Sequence, residues 1–171
     1  MRVFVDSDHS GELTTSQSRT EFIIFLNSSP IYWFLNLQTS VKTSSFGSEF
    51  IAMKKCCKYV RGLCYKLRMM RIRIDFPIYI LGYNQSVLCN TSKPHSSLEN
   101  KSSSIALHFV REGTAKYEWR NSYINTHSNP ADMLTKSLSG GEKRSNLFSI
   151  SYTIYIDVFD GSGLRLTFEP L

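Results

Sequence analysis

One apolar stripe in the middle of the chain restricts the possible folds more than any other feature. Its apolar residues recur at alternating spacings of four and three positions, which is the period of an amphipathic α-helix. Ser44 precedes the stripe in a position suited to an N-cap, and Gly62 interrupts it at a cost of about 1 kcal/mol relative to alanine. The spacing predicts a long helix over residues 45–70. The stripe consists of Phe46, Phe50, Met53, Cys57, Val60, Cys64 and Leu67.

Runs of β-branched and aromatic residues on both sides of this helix predict strands. The predicted strands are 2–6, 21–27, 31–37, 77–82 and 117–126. The first helix is expected to pack on their sheet through Phe50, Met53, Cys57 and Val60. Three shorter helices are predicted at 84–90, at 98–112 with Gly113 as C-cap, and at 130–138 with Asn129 as N-cap. The order β-β-β-α-β-α-α-β-α predicts an α/β fold.

Length and composition favour one folded domain, because 171 residues with 42% hydrophobic content can bury a sizeable core. Residues 1–12 lack the apolar segment of a secretory signal, and no stretch approaches the roughly 20 apolar residues of a membrane span. We therefore expect an intracellular protein, in cytoplasm or nucleus, with no membrane partner. The cysteines lack metal-site spacing and are predicted to be buried free thiols: Cys56, Cys57, Cys64 and Cys89.

The positive charge is concentrated in one segment. The net charge is +6, and residues 50–74 carry eight basic residues and no acid. A polyanionic partner explains this excess, and so does an ordinary solvated helix face. The charge pattern alone leaves both interpretations open. The eight residues are Lys54, Lys55, Lys58, Arg61, Lys66, Arg68, Arg71 and Arg73.

A short buried strand ends in the sequence PIYILGYNQSVL, residues 77–88. Its apolar run stops at Gly82, and a polar cluster begins at Asn84. Ligands of α/β proteins usually bind just outside the carboxyl ends of strands. The residue at this position is Tyr83, which carries no charge at neutral pH.

Three acidic residues lie at predicted element edges. Asp6 ends the first strand, while Glu49 and Asp132 lie in the first turns of two helices. Each of them alone is a weak signal, and an acid in a first helical turn is commonly explained by capping or by the helix macrodipole. Together they favour carboxylates gathered on one side of a sheet, as a hard cation such as Mg²⁺ requires.

Six segments resemble, in order, motifs of the ribonuclease H domain of copia-type LTR retrotransposons. Asp6 begins the sequence DSDHSG, which resembles the opening of that domain, and GYNQSV resembles its Asp-Asn-Gln-Ser strand end. Segment 30–41 resembles the second strand of the family's hairpin, but it lacks the lysines that family members usually have before the position of Gln38. The resemblance covers about residues 2–145. The segments are 5–11, 30–41, 44–53, 82–87, 104–112 and 129–138.

The resemblance implies a ribonuclease H-like three-layer fold with a central five-stranded mixed sheet flanked by helices. Family members cleave the RNA strand of RNA–DNA hybrids with two divalent metals held by four carboxylates. Carried over by position, the first, second and fourth ligands are Asp6, Glu49 and Asp132, and Tyr83 occupies the third. Binding of Mg²⁺ or Mn²⁺ is therefore expected to be weakened, and cleavage impaired or lost. Asp8, two residues from Asp6, is a possible compensating ligand.

Several interpretations remain open at this stage. His127 either shuttles protons beside the site or lies on a surface loop. A non-catalytic nucleic-acid-binding remnant would use the basic helix 50–74 through Lys54, Lys55, Lys58 and Arg61. An unexpressed or misfolded remnant of an element is a third interpretation. For a ribonuclease H domain and for a non-catalytic binding remnant alike, the expected partner is RNA–DNA hybrid or another nucleic acid.

The domain is predicted to occupy residues 1–145. Residues 146–171 do not match the family, and their alternating apolar pattern indicates either a β-hairpin or translation of an unrelated reading frame. Nothing in the chain resembles the reverse transcriptase and integrase segments of a complete element. We therefore expect a Pol polyprotein fragment.

Overall fold

A computed structural model of the chain describes residues 1–12, 14–41, 43–74, 77–92 and 101–134. Its core is one five-stranded sheet of order β3-β2-β1-β4-β5. β1 pairs antiparallel with β2 and parallel with β4, so the predicted mixed sheet is confirmed. The strands are β1 Arg2–Asp8, β2 Arg19–Leu26, β3 Ser29–Leu37, β4 Ile78–Gly82 and β5 Trp119–Tyr123.

In the described residues, three α-helices and two short 3-10 helices connect and cover these strands. None of the helices in the described part of the chain combines the length and apolar character that crossing a membrane requires. The α-helices are α1 Ser45–Met69, α2 Gln85–Ser92 and α3 Lys101–Ala115. The 3-10 helices are Thr126–Ser128 and Pro130–Leu134.

Side chains of the central strand alternate between the two faces of the sheet. Val3 and Val5 join the main apolar core, which the helices α1, α2 and α3 cover. Phe4 points to the opposite face, where a smaller cluster includes Ile23 and Ala131 of the Pro130–Leu134 helix. The structure therefore has three layers: α-helices, the sheet, and the Pro130–Leu134 helix.

Helix α1 follows its predicted period closely. The Ser44 side chain accepts a hydrogen bond from the Gly47 amide at 3.2 Å, so the predicted N-cap is confirmed. The four residues predicted to pack on the sheet are buried in the main core: Phe50, Met53, Cys57 and Val60. Glu49, however, is the fifth residue of α1 and lies beyond the first turn, because the helix begins at Ser45.

Other boundaries differ from the predictions for identifiable reasons. β1 continues past Asp6 to Asp8, because pairing with β2 extends to Arg19. Helix α3 continues to Ala115, so Gly113 is not its C-cap. Gly113 instead lies against Trp119, where an added Cβ would stand 2.0 Å from Cζ2 of the indole.

The predicted helix at 130–138 is a 3-10 helix over Pro130–Leu134 in the described residues, and its remaining positions lie outside them. The predicted tail at 146–171 also lies outside the described residues. Cys56, Cys57 and Cys64 are buried free thiols as predicted. The prediction is wrong for Cys89, which is exposed on α2.

Candidate active site

The central strand supplies the first carboxylate of the site. Asp6 is 1% exposed and lies opposite Glu21 in the antiparallel pairing of β1 with β2. Residues paired in this way place their side chains on the same face of the sheet. The Ser7 amide donates a hydrogen bond to Asp6 Oδ1 at 2.7 Å, which fixes the carboxyl group next to the strand.

The second carboxylate comes from α1 and is held by contacts between the helix and the sheet. Ser7 Oγ donates to Ser48 Oγ at 3.0 Å, joining β1 to the residue before Glu49. Gln38 Nε2 donates to the Ser48 carbonyl at 2.9 Å and to Thr20 Oγ1 at 3.1 Å. These hydrogen bonds tie the first turns of α1 to the strands, so the buried Glu49 keeps its position relative to Asp6.

The third carboxylate, Asp132, is positioned through Asn129. The Asn129 side chain accepts from the Ala131 amide at 3.2 Å, as its predicted capping role requires. Its Nδ2 also donates to the Val5 carbonyl at 3.1 Å, which anchors the Pro130–Leu134 helix to β1. Asp132 is therefore 1% exposed and hydrogen-bonded to Asp6.

Tyr83 follows β4 and lies beside these acids. Its phenol is hydrogen-bonded to Glu49, and the acids Glu49, Asp6 and Asp132 interact with it electrostatically. The pKa of Tyr83 is raised above the ordinary value of tyrosine. Burial is the largest cause, and the hydrogen bond to Glu49 and the neighbouring acids follow it. The phenol therefore stays protonated and donates to the carboxylate.

Burial and the neighbouring carboxyl groups raise the pKa of Asp6 to about 9. Burial is the largest cause, and the hydrogen bond to Asp132 follows it. The negative charges of Glu49, Asp132 and Glu21 raise the pKa of Asp6 further. Asp6 is thus protonated at neutral pH and shares its proton with Asp132.

Sequence reasoning missed Glu21. Its side chain is fully buried, and its charge acts on Asp6. One signal was available: an acid stands at the start of the apolar run of β2, on the same strand face as Ile23 and Phe25. Such an acid is usually assigned to the solvent at a strand end, which is why the pattern alone did not identify it.

The other predicted site residues lie outside this cluster. His127 is exposed on the Thr126–Ser128 helix, which agrees with a surface position. The Asp8 carboxyl lies against Gly11, where an added Cβ would stand 1.7 Å from Asp8 Oδ2. Lys54 and Lys58 are exposed along α1, and Lys55 is half-buried.

Arg61 is engaged within the protein. Its Nε donates to Glu118 Oε2 at 2.7 Å, and its guanidinium carbon lies 4.4 Å from the Phe109 ring centroid. The Trp119 ring centroid is 5.0 Å away. These contacts link α1 to α3 and β5.

The donor chemistry of the acid cluster suits a hard divalent cation, since all donors are carboxyl oxygens and their mutual repulsion favours neutralisation. The arrangement of these carboxyl groups does not match a metal site. Within the described residues, no three His, Cys, Asp or Glu side chains are arranged to hold a metal ion. The Asp6–Asp132 and Tyr83–Glu49 hydrogen bonds use carboxyl oxygens that a metal would require.

Comparisons with known proteins show sequence similarity to retrotransposon Pol polyproteins. The chain is 28% identical over 141 residues to the retrovirus-related Pol polyprotein from transposon RE1 of Arabidopsis thaliana, covering 81% of this chain. It is 26% identical over 137 residues to the Pol polyprotein from transposon TNT 1-94 of Nicotiana tabacum, covering 80% of this chain. The chain is a homologue of retrotransposon Pol polyproteins. It spans about 10% of the length of these relatives. No family model matches it.

Solved structures identify the fold as ribonuclease H-like. LC11-RNase H1, isolated from compost by a metagenomic approach, superposes with a TM-score of 0.58 at 9% identity, covering 78% of this chain and 90% of that one. The N-terminal RNase H domain of Rv2228c from Mycobacterium tuberculosis gives a TM-score of 0.57 at 8% identity, covering 89% and 96%. LC11-RNase H1 has also been solved in complex with an RNA/DNA hybrid.

Proposed function

We propose that this chain is the ribonuclease H domain of a copia-type retrotransposon Pol polyprotein, with a damaged metal site. Its substrate class is RNA–DNA hybrid, of which the RNA strand is cut. One observation carries the proposal: β1, α1 and the Pro130–Leu134 helix bring three buried acids together at the end of β4. The acids are Asp6, Glu49 and Asp132.

Asp6, Glu49 and Asp132 are the residues that would hold Mg²⁺ or Mn²⁺. Two such ions, when bound, supply a hydroxide nucleophile and stabilise the leaving oxygen of a phosphodiester. The protein's part is to fix the three carboxylates through Ser7, Ser48 and Asn129, so that they would face one metal site. Before metal can bind, the proton shared by Asp6 and Asp132 must leave.

Tyr83 weakens this site in two ways. It replaces an anionic donor by a neutral phenol, so the cluster has less charge to offset two cations. Its hydroxyl is also hydrogen-bonded to Glu49, one of the carboxylates that would hold the metal, and so competes for that group. We therefore expect weak metal binding and slow or undetectable cleavage of hybrid by the unmodified chain. Asp8 as a compensating ligand stays a prediction.

Tyr83→Asp tests the proposal directly. Calorimetric titration with Mn²⁺ should show affinity at least about tenfold higher than that of the unmodified chain, because a ligand and a charge are restored. Cleavage of labelled RNA–DNA hybrid should rise in parallel. The matched control is Tyr83→Asn, which has nearly the same shape as aspartate and no charge, and should give a much smaller gain.

The three acids should act as a unit in this assay. In the Tyr83→Asp background, replacing Asp6, Glu49 or Asp132 by alanine should each abolish the gain in cleavage. Robust cleavage by the unmodified chain that falls on Tyr83→Asp would overturn the assignment. Equal gains for Tyr83→Asp and Tyr83→Asn would show that the phenol obstructs the site without occupying a ligand position.

A second candidate function is nucleic-acid binding without catalysis. The exposed cations Lys54 and Lys58 favour it, because they lie on a helix segment that carries no acid between Phe50 and Ile74. Binding to RNA–DNA hybrid should weaken steeply with salt, since phosphate contacts release counterions. Hybrid should bind better than duplex DNA if the 2′-hydroxyls are contacted. Salt-independent binding would exclude this function.

The domain boundary near residue 145 also stays a prediction. The wild-type chain truncated after residue 145 should keep the melting temperature and the nucleic-acid affinity of the full chain if residues 146–171 are not part of the domain. A loss of cooperative melting on truncation would show that the boundary is wrong.

A further inference from the structure

Gly62 lies in the middle of α1 without a packing reason for being glycine. A Cβ added there would meet nothing within 4 Å. Glycine within a helix costs about 1 kcal/mol relative to alanine. Alanine would thus fit and would stabilise α1, so the open space beside Gly62 requires another explanation.

The open space is part of a groove of about 320 Å³ between α1 and the β2–β3 side of the sheet. Lys55, Lys58 and Lys66 line it on the helix, together with Gly62. Their spacing of three, four and four residues places all four on one face of α1. Phe34 of β3 and Tyr59 of α1 also line the groove. We call this feature the α1–β3 groove.

The aromatic rings of the groove are held rigidly. Phe34 stacks on the buried Phe22 with ring centroids 4.9 Å apart and planes 11° apart. Tyr59 stacks on Tyr32 with centroids 4.1 Å apart. Aromatic rings supported in this way offer flat apolar surface at little entropic cost.

The cations of the groove lie close to those rings. Lys55 Nζ is 4.6 Å from the centroid of the Phe34 ring, on a ring whose partner Phe22 is fully buried. Lys58 and Lys66 are exposed beside it, and no acid occurs between Phe50 and Ile74. A flat apolar surface next to several ammonium groups matches a nucleobase and its phosphate.

We propose that the α1–β3 groove binds one unpaired nucleotide of a single-stranded nucleic acid. The base lies against Phe34 in place of the Lys55 ammonium, and Lys55, Lys58 and Lys66 contact the flanking phosphates. The groove is separate from the acid cluster: none of its lining residues is one of those acids, and its nearest lysine, Lys55, is six residues from Glu49, about 9 Å along the helix axis. The proposal therefore does not depend on metal binding or on hybrid cleavage.

Filling the groove tests the proposal without changing the charge. Gly62→Leu should reduce the affinity for a short fluorescein-labelled oligo(dT) at least about tenfold in an anisotropy titration, because the side chain occupies the space of the base. Gly62→Ala is the matched control and should change the affinity less than about twofold. Both variants should melt at or above the wild-type temperature, which excludes unfolding as the cause.

A second pair of variants separates the groove from general electrostatics. Lys58→Ala and Lys54→Ala remove the same charge from neighbouring turns of α1, but only Lys58 lines the groove. Lys58→Ala should weaken oligo(dT) binding several-fold more than Lys54→Ala at the same salt concentration. Equal losses, together with unchanged binding by Gly62→Leu, would overturn the proposal and leave only non-specific attraction.

Competition identifies the occupant. Unlabelled oligo(dT) should displace the labelled strand at much lower concentration than a poly-glutamate peptide of equal charge, since the peptide lacks bases to stack. Equal displacement by the peptide would contradict a nucleotide site. Tyr83→Asp should leave oligo(dT) affinity unchanged, so failure at the acid cluster and failure at the groove are distinguishable.

Discussion

The hydroxyl of Tyr83 is hydrogen-bonded to the carboxylate of Glu49 at the end of β4. Because burial, this bond and the neighbouring acids raise the pKa of Tyr83, the phenol remains neutral and keeps donating. One hydrogen bond thus relieves the repulsion in a cluster that otherwise contains only carboxyl groups. The same hydrogen bond competes with a cation for the Glu49 carboxylate. A stronger bond at Tyr83 therefore favours stability and disfavours metal binding.

Tyr83→Asp should lower the stability of the metal-free protein. It exchanges a hydrogen-bond donor for a fourth carboxylate beside Asp6, Glu49 and Asp132, which adds repulsion. We expect the melting temperature in EDTA to fall by about 3 °C or more, since about 1 kcal/mol moves the midpoint by 2–4 °C for a chain of this length. Saturating Mn²⁺ should recover this loss in Tyr83→Asp, and much less in Tyr83→Asn.

Scanning fluorimetry with and without Mn²⁺ measures both effects. The unmodified chain should respond weakly to Mn²⁺ in the same experiment. If Tyr83→Asp were as stable as the unmodified chain in EDTA, the phenol would not be relieving charge repulsion, and its hydrogen bond to Glu49 would be energetically unimportant.

Asp6→Asn should stabilise the protein above neutral pH. The pKa of Asp6 is raised to about 9 in the folded protein, against 3.8 for the unperturbed carboxyl. Between these values the folded state binds a proton that the unfolded state has released, so stability is lost as pH rises from about 4 to 9. Asparagine removes this loss and can still donate a hydrogen bond to Asp132. The melting temperature at pH 8 should therefore rise by about 3 °C or more.

The pH dependence provides the control. Below about pH 4 Asp6 is protonated in both states, so Asp6→Asn and the unmodified chain should there differ little. A gain in melting temperature that is independent of pH would show that the effect of the substitution does not come from the carboxyl proton.

Secondary-structure elements that are determined by neighbouring residues could be predicted from the sequence. The apolar period and the Ser44 cap predicted α1 almost to the residue, since both act within a few positions of the chain. The ends of β1 and α3 were not predictable in the same way. They depend on pairing with Arg19 and on the approach of Trp119 to Gly113, which are contacts between distant parts of the chain.

The residues of the acid cluster likewise differ in how far the sequence could predict them. Asp6, Glu49 and Asp132 were singled out by their positions at predicted element edges, and the family resemblance then supplied their expected roles as metal ligands. Glu21 has no such support, and its place opposite Asp6 follows from strand register alone. The second hydrogen bond of Asn129, to the Val5 carbonyl, spans 124 positions and has no sequence signal.

Arg61 should prove to be a structural residue, unlike the lysines of α1. Its ion pair with Glu118 and its contacts with Phe109 and Trp119 join α1 to α3 and β5. Arg61→Ala should lower the free energy of unfolding by about 1–3 kcal/mol, because part of the guanidinium's packing is lost and Glu118 loses its partner. Urea unfolding measures the change, and hybrid affinity should fall less than for Lys58→Ala.

Arg61→Lys separates charge from shape. Lysine keeps the charge but cannot stack on the rings as a planar guanidinium does, so it should recover only part of the lost stability. Full recovery by lysine would mean that the ion pair alone matters. A loss of hybrid binding larger than that of Lys58→Ala, with stability unchanged, would instead place Arg61 among the nucleic-acid contacts.

Two of the helical glycines, Gly62 in α1 and Gly113 in α3, should respond in opposite directions to the same substitution. At Gly113 a Cβ would stand 2.0, 2.3 and 2.5 Å from three atoms of the Trp119 indole, which is 1% exposed and held by a 3.1 Å hydrogen bond to the Val110 carbonyl. The ring therefore cannot move aside without disturbing the core, and Gly113→Ala should lower the free energy of unfolding by about 1–3 kcal/mol or more. At Gly62 the added methyl group meets nothing, and Gly62→Ala should raise the free energy of unfolding by up to about 1 kcal/mol. Urea unfolding of both variants under the same conditions compares them directly. Stabilisation by Gly113→Ala would show that α3 and β5 do not approach each other as closely as the Gly113–Trp119 contact requires.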